Sequence, residues 1–285
     1  MYLPDFDYYA PESLTEATGL LMQLGPSAMV LAGGTDILAK MKNGVLAPSA
    51  LVSLKNLHEL RRIRWDADRG LAIGALATHN EICNSAVVQE HFLSLAEAAH
   101  KLANNQVRNR GTIGGNLVNA IPSADLPPIL IALGAYVTLT GPDGSRTLPV
   151  ESFFTGVSCC ALKPEGEILT EVVIPPPKPG LRASFEKLRP RGVWDFAMAS
   201  MAMSLQLRDK TIDDARVVFG GISGKPLRET AVETFLKGKT LSADLGNQAV
   251  AIALANAAPL KYNATKIDMA KGLLASGLAK LNAAV

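Results

Sequence analysis

The chain has only three cysteines, Cys83, Cys159 and Cys160, and no two of them form a C-x-x-C pair. Thiolate-bound iron–sulfur and zinc sites need such spacing, so this polypeptide is expected to hold neither a cluster nor a metal. Adjacent Cys159 and Cys160 cannot close an unstrained bridge to each other. Excess charge is scarce too: the formal net charge is +2 over 285 residues, and the nearest thing to a basic cluster runs from Lys187 to Arg191. No nucleic-acid footprint follows. No apolar run approaches the roughly twenty residues of a membrane span. The start, Met1-Tyr2-Leu3-Pro4-Asp5-Phe6-Asp7, lacks the basic segment and apolar core of a secretory signal. A soluble, cytoplasmic protein is expected.

Common catalytic signatures are missing as well. Gly220-Gly221-Ile222-Ser223-Gly224-Lys225-Pro226 resembles a phosphate loop, but Phe219 stands where its first glycine belongs and Pro226 replaces the Ser or Thr. There is no G-x-G-x-x-G and no G-x-S-x-G. His58, His79, His91 and His100 have no metal-ligand spacing and read as isolated surface or capping residues. No catalytic acid–base–nucleophile set emerges.

What is present is a globular composition, 48% hydrophobic and 19% charged, in a chain long enough for two or three compact units. Ser13-Leu14-Thr15-Glu16 reads as a capping box opening a helix from about 13 to 24, stopped by Gly25-Pro26. A strand over Ala28–Ala32, a helix over Ile37–Lys42 and a strand over Ala50–Leu54 complete a small α/β subdomain ending near residue 56. Beyond it, Leu71–Ala75 reads as a strand, Thr78 and Glu81 cap a short helix, and a longer helix spans about 86 to 103. Ala135–Thr140 and Arg146–Val150 flank Gly141-Pro142-Asp143-Gly144 as a hairpin, and Ile168–Ile174 is a further strand. The run Pro175-Pro176-Pro177-Lys178-Pro179-Gly180 cannot continue a ladder or a helix, which marks a boundary. Strands over Ser184–Leu188, Met198–Leu207 and Asp214–Phe219 follow, then helices over about 242–257 and 265–283.

Two glycine-rich turns stand out, Ala32-Gly33-Gly34-Thr35-Asp36 and Thr112-Ile113-Gly114-Gly115-Asn116. Consecutive glycines leave amides free and let a ligand approach the main chain, so the pair reads as a clamp for a polyanionic cofactor. In the first turn Gly33 and Gly34 face the ligand with the Thr35 hydroxyl, while Asp36, which would repel a phosphate, is assigned to capping its own helix. In the second, Gly114 and Gly115 are expected to supply amides, Thr112 a hydroxyl, Asn116 and Asn119 amide side chains, and Asp125 an acceptor for hydroxyl groups. Ordinary tight connections with incidental glycines are the alternative for both.

The segments AGGTDIL (Ala32–Leu38), QVRNRGTIGGNLVNAIPSADLPP (Gln106–Pro128), GEILTEVVIP (Gly166–Pro175) and FEKLRPRGVWDFAMAS (Phe185–Ser200), in this order, resemble the FAD-binding medium subunit of the molybdenum hydroxylases. That group includes xanthine dehydrogenase and carbon monoxide dehydrogenase. The resemblance implies an α+β protein with a two-subdomain FAD-binding fold of the vanillyl-alcohol-oxidase type. This would occupy residues 1–176, with subdomains of about 1–56 and 57–176. A C-terminal domain over 181–285, a small antiparallel sheet with helices, would follow.

It further implies that Val30, Leu31 and Ala32–Asp36, with Thr112–Asn116 including Ile113, hold the cofactor, and that Asn119 and Asp125 add polar contacts. Ile168 or Leu169, together with Lys187, match positions near it. Leu102 falls where some relatives carry an aromatic residue, and Trp194, or else Phe196, would cover the ring. FAD would be held noncovalently. [2Fe–2S] clusters and molybdopterin would reside on partners, a small iron–sulfur subunit and a large molybdopterin subunit, in a dimer of heterotrimers. Electrons would pass to NAD, a quinone or oxygen. Two other readings stay open: a self-sufficient FAD oxidoreductase of the same superfamily, and a cofactor-free assembly subunit. Gly114→Val is expected to abolish flavin retention while leaving much of the fold.

Overall fold

A computed structural model describes residues 2–163 and 166–283, so the outermost ends of the expected 1–176 and 181–285 units lie outside the described residues. The chain opens with β1 (Asp7–Tyr9), α1 (Leu14–Leu24), β2 (Ala28–Leu31), α2 (Ile37–Lys42) and β3 (Ala50–Ser53). The three strands form a parallel sheet in the order β1-β3-β2. Ser13 Oγ accepts from the Glu16 amide at 3.2 Å, but the return arm of the expected capping box does not close. Glu16 Oε2 instead accepts from the amide of Glu12 at 2.9 Å, because the chain enters the helix with that donor in reach.

The second layer runs through β4 (Ile63–Asp66), β5 (Gly70–Gly74), α3 (His79–Asn84), α4 (Ala86–His100), α5 (Asn105–Arg108), α6 (Ile113–Asn119), α7 (Leu126–Ala132), β6 (Tyr136–Gly141), β7 (Gly144–Pro149), α8 (Val150–Phe153), β8 (Phe154–Gly156), β9 (Cys159–Cys160) and β10 (Ile168–Ile174). Five strands make an antiparallel sheet, β4-β5-β10-β6-β7. Thr78 and Glu81 do form a full capping box at the start of α3. The long helix stops at His100 rather than 103 and is broken at Phe92 (φ −144°, ψ 59°), whose ring is buried in the core.

After the proline run come β11 (Leu181–Leu188), β12 (Ala199–Arg208), β13 (Thr211–Gly220), β14 (Leu227–Arg228), α9 (Thr230–Leu236), α10 (Leu245–Ile252) and α11 (Thr265–Ala283). The four strands form an antiparallel sheet in sequence order. The helix expected over 242–257 is shorter, ending at Ile252, and Leu254 adopts a left-handed φ of 57° that a helix cannot accommodate.

The two sheets share a core. Phe185, Ala202 and Val218 of the C-terminal sheet are fully buried in one cluster with Leu71, Ile73, Leu95, Ile129 and Val172. Ser204 Oγ donates to the Ala132 carbonyl at 2.6 Å across the same seam. A cleft opens where the small parallel sheet, the second or middle layer and the connection after β11 meet.

Candidate functional site

The two glycine turns lie back to back. A Cβ on Gly33 would sit 1.9 Å from the Arg110 carbonyl oxygen and 3.2 Å from Gly111 Cα, so only glycine lets the first turn rest against the segment leading into the second. Gly34 has φ +81°, the left-handed conformation that turns the chain from β2 towards α2. The amides of Gly33, Gly34, Thr35 and Asp36 donate to no other described residue. Unpaired turn amides of this kind are a common seat for an anion.

The second turn differs from expectation. Thr112–Asn116 is the cap and first turn of α6, and the amides of Ile113, Gly114, Gly115 and Asn116 are already used inside the protein. Ile113 N donates to Ala77 O at 3.0 Å, Gly114 N to Ala75 O at 2.9 Å, and Gly115 N to Thr112 Oγ1 at 3.0 Å. Gly114 is small for a packing reason: a Cβ there would lie 2.8 Å from both the Cβ and the carbonyl oxygen of Ala75. The turn serves to seat α6 tightly on the end of β5, which leaves the Asn116 side chain, not the glycine amides, for a ligand.

Asp36 also departs from its assigned role. It stands at the N-cap of α2 in helical backbone geometry and makes no capping hydrogen bond. Its Oδ1 accepts from Asn119 Nδ2 at 2.7 Å, and Lys40 Nζ donates to Asn119 Oδ1 at 2.6 Å. Asn119 thus spends both ends of its amide holding an acid–amide–base chain between α2 and α6. That chain places a cation, Lys40, beside the first turn and offsets the repulsion of Asp36 for a phosphate. The Asp36–Lys40 spacing of four residues was the available signal for it.

These elements enclose one cleft of about 470 Å³, within the range of small-molecule sites. Val30, Ala32–Asp36, Leu102, Thr112, Gly114–Asn116, Asn119, Asp125, Ile168, Leu169 and Trp194 all line it, and so does Phe196. Leu31, Ile113 and Lys187 do not. Leu31 alternates away from the cleft along β2. Ile113 is fully buried in the core behind α6. Lys187 acts through Asp125, its Nζ 2.7 Å from Asp125 Oδ2, with both side chains almost fully buried.

Burial pushes the Asp125 carboxyl up to about 6, against the pull of Lys187, Arg189 and Lys101, and burial likewise lowers Lys187 against the pull of Asp125. The second cation of the Lys187–Arg191 cluster, Arg189, donates to the Lys101 carbonyl at 2.6 Å, and Lys187 donates to the same oxygen at 3.3 Å. Arg191 pairs with Asp195. Next to it, Trp194 holds φ +77°, its amide donating to the Ala103 carbonyl at 3.1 Å, so an exposed indole is pinned at the cleft beside Leu102.

Among the described residues, three buried polar atoms of the cleft lining have no partner: Asn116 Oδ1, Asp125 Oδ1 and His79 Nδ1. Buried polar atoms are nearly always hydrogen-bonded, so the cleft is finished for a polar ligand that brings donors and acceptors of its own. Free amides, a lysine, unpaired polar atoms and apolar Leu102, Ile168 and Leu169 share the wall of this cleft, a mixture that suits a dinucleotide of flavin. His79, read from sequence as a surface or capping residue, is buried in the cleft wall. The capping box located α3, but nothing in the sequence marked its first side chain as inward.

A family model described as the FAD binding domain in molybdopterin dehydrogenase matches residues 4–177, and the CO dehydrogenase flavoprotein C-terminal domain matches 183–279. The carbon monoxide dehydrogenase medium chain of Hydrogenophaga pseudoflava is 36% identical over 91% of this chain and 89% of its own. The glyceraldehyde dehydrogenase medium chain of Sulfolobus acidocaldarius is 34% identical over 86% and 85%. A solved carbon monoxide dehydrogenase from Hydrogenophaga pseudoflava, lacking the Mo-pyranopterin moiety of the molybdenum cofactor, superposes with a TM-score of 0.94 at 34% identity, covering 99% of both chains. On sequence, fold and the donor set of its cleft, this chain belongs to the FAD-binding medium subunits of the molybdenum hydroxylases, the family of carbon monoxide and xanthine dehydrogenases.

Proposed function

We propose that this chain is an electron relay: it takes electrons from a [2Fe–2S] subunit and passes them to an external acceptor, NAD, a quinone or oxygen. Substrate oxidation would occur on a large molybdopterin subunit, with the three chains assembled as a dimer of heterotrimers in the cytoplasm. The observation that carries this reading is the convergence of free first-turn amides and unpaired Asn116 and Asp125 oxygens on one cleft.

The amides of Gly33–Asp36 would bind the diphosphate of noncovalently held FAD, each charge-assisted hydrogen bond contributing roughly 1.5 to 3 kcal/mol. Lys40 adds a positive charge there through its link to Asn119. Asn116 Oδ1 and Asp125 Oδ1 would accept from hydroxyl or ring N–H groups, with Lys187 fixing the Asp125 carboxylate from behind. Leu102 and either Ile168 or Leu169 would pack on the ring, and Trp194 or Phe196 would cover its open face and exclude water. When bound, the flavin supplies redox chemistry that joins single-electron clusters to a two-electron acceptor. The chain's residues bind, orient and shield it.

That the relatives are medium chains of larger enzymes favours this reading of the cleft over a self-sufficient oxidase. Its unpaired polar atoms favour it over a cofactor-free assembly subunit. Quantifying FAD, iron and molybdenum against protein in the native complex tests it. All three together are expected. Flavin alone in an active, partner-free monomer would contradict it, and a colourless complex would favour the assembly role.

A further inference from the structure

His79 opens α3 with its amide donating to the Gly111 carbonyl at 3.0 Å. The residue is 2% exposed, lines the cleft, and its Nδ1 has no partner among the described residues. Gly111 makes room for the ring: a Cβ there would come within 3.1 Å of His79 Cδ2 and 3.4 Å of Nε2. The same Gly111 is the backbone against which Gly33 rests. The imidazole therefore packs on the Gly111 backbone that the first turn also rests against, and both line one cleft.

Burial, reinforced by the charge of Arg108, lowers the imidazole to about 4, so it is neutral near pH 7 and carries one N–H and one lone pair. A buried ring nitrogen without a partner is costly, and its residue belongs to the cleft wall.

We propose that His79 is a cofactor-binding residue whose Nδ1–H donates to the diphosphate of FAD, completing the donor set begun by the Gly33–Asp36 amides. This rests on the FAD reading above. No motif marks the residue, since its role arises from Gly111 and from the fold around α3.

The test uses the full chain stripped of flavin and titrated with FAD. His79→Leu removes the donor, whereas His79→Asn places an amide N–H as many bonds from Cα as Nδ1. His79→Leu is expected to weaken FAD binding about ten- to hundredfold, the loss of one hydrogen bond to a charged group. His79→Asn is expected to recover most of it, and the Nδ1 resonance of ¹⁵N-histidine-labelled wild type, assigned by its loss in His79→Asn, to move when FAD is added. A folded His79→Leu chain that binds FAD as tightly as wild type overturns the proposal, as does a His79→Asn chain no better than His79→Leu. So does an unmoved Nδ1 resonance in a wild-type chain that binds FAD, which decides the matter even where His79→Leu fails to fold. A wild-type chain that takes up no FAD overturns the cofactor reading itself, and the His79 role with it.

Discussion

A valine at position 114 would drive its Cβ into Ala75, 2.8 Å from the side chain and the carbonyl oxygen alike, so its first effect falls on the seat of α6 and not on a ligand. The sequence suggested flavin loss from a largely intact fold. The geometry predicts overpacking costs of about 1–3 kcal/mol, read as a melting temperature lower by roughly 2–4 °C per kcal/mol even without flavin. An unchanged melt for apo Gly114→Val would show that α6 is not packed this way.

Two buried ionisable residues of the cleft respond to acid with opposite signs. His79 is held neutral with its proton affinity lowered from 6.5 to about 4. Its contribution is therefore complete above about pH 6.5 and is lost as pH falls towards 4, a change of about 3 kcal/mol. Asp125 is raised from 3.8 to about 6, so its contribution is complete below about pH 4 and is lost as pH rises through 6. Between pH 4 and 6.5 the two oppose each other. Thermal melts of the apo chain should thus fall more steeply with acid in Asp125→Asn than in wild type, and less steeply in His79→Asn. Parallel curves for all three would refute the assignment.

At the level of elements, the end of β11 and the connection after it are tied to the cleft through carbonyls at the end of α4 and just beyond it. The Lys101 carbonyl at the end of α4 takes both Lys187 and Arg189, and Ala103 takes the amide of Trp194. Since the Trp194 side chain is 58% exposed, Trp194→Ala should leave the melting temperature within a few degrees of wild type while weakening FAD binding several-fold. Equal FAD affinity in that variant would transfer the covering role to Phe196.

Elements with strong local signals were legible in the sequence. The hairpin of β6 and β7 around Gly141–Gly144, β10, α2 and the capping box of α3 lie where turn chemistry and periodicity put them. Kinks and stops set by long-range packing were not, as with Phe92 inside α4 and Leu254 beyond α10. The cleft divides in the same way. Glycine pairs betray a close approach, but whether a ligand or the protein makes that approach depends on neighbours remote in sequence, Arg110 for Gly33 and Ala75 for Gly114.

For the whole molecule, the proline run over 175–180 links two sequence units that meet in a shared seam, although the opposite face of the C-terminal sheet packs with α9, α10 and α11 into a core of its own. Phe185, Ala202 and Val218 are buried among residues of the middle layer, and Ser204 and Arg216 both donate to carbonyls at the end of α7. Unfolding is expected as a single cooperative transition, and a fragment ending at residue 176 should expose that face and aggregate. Two resolved calorimetric transitions would contradict a shared core. The central claim is that electrons leave the complex through the flavin held by this chain. Its most direct test is to remove the flavin from the native complex and follow both halves of the reaction by rapid mixing. The account predicts that substrate still reduces the iron–sulfur clusters while reduction of the acceptor stops, and that added FAD restores it. Undiminished acceptor reduction by the flavin-free complex would contradict the claim.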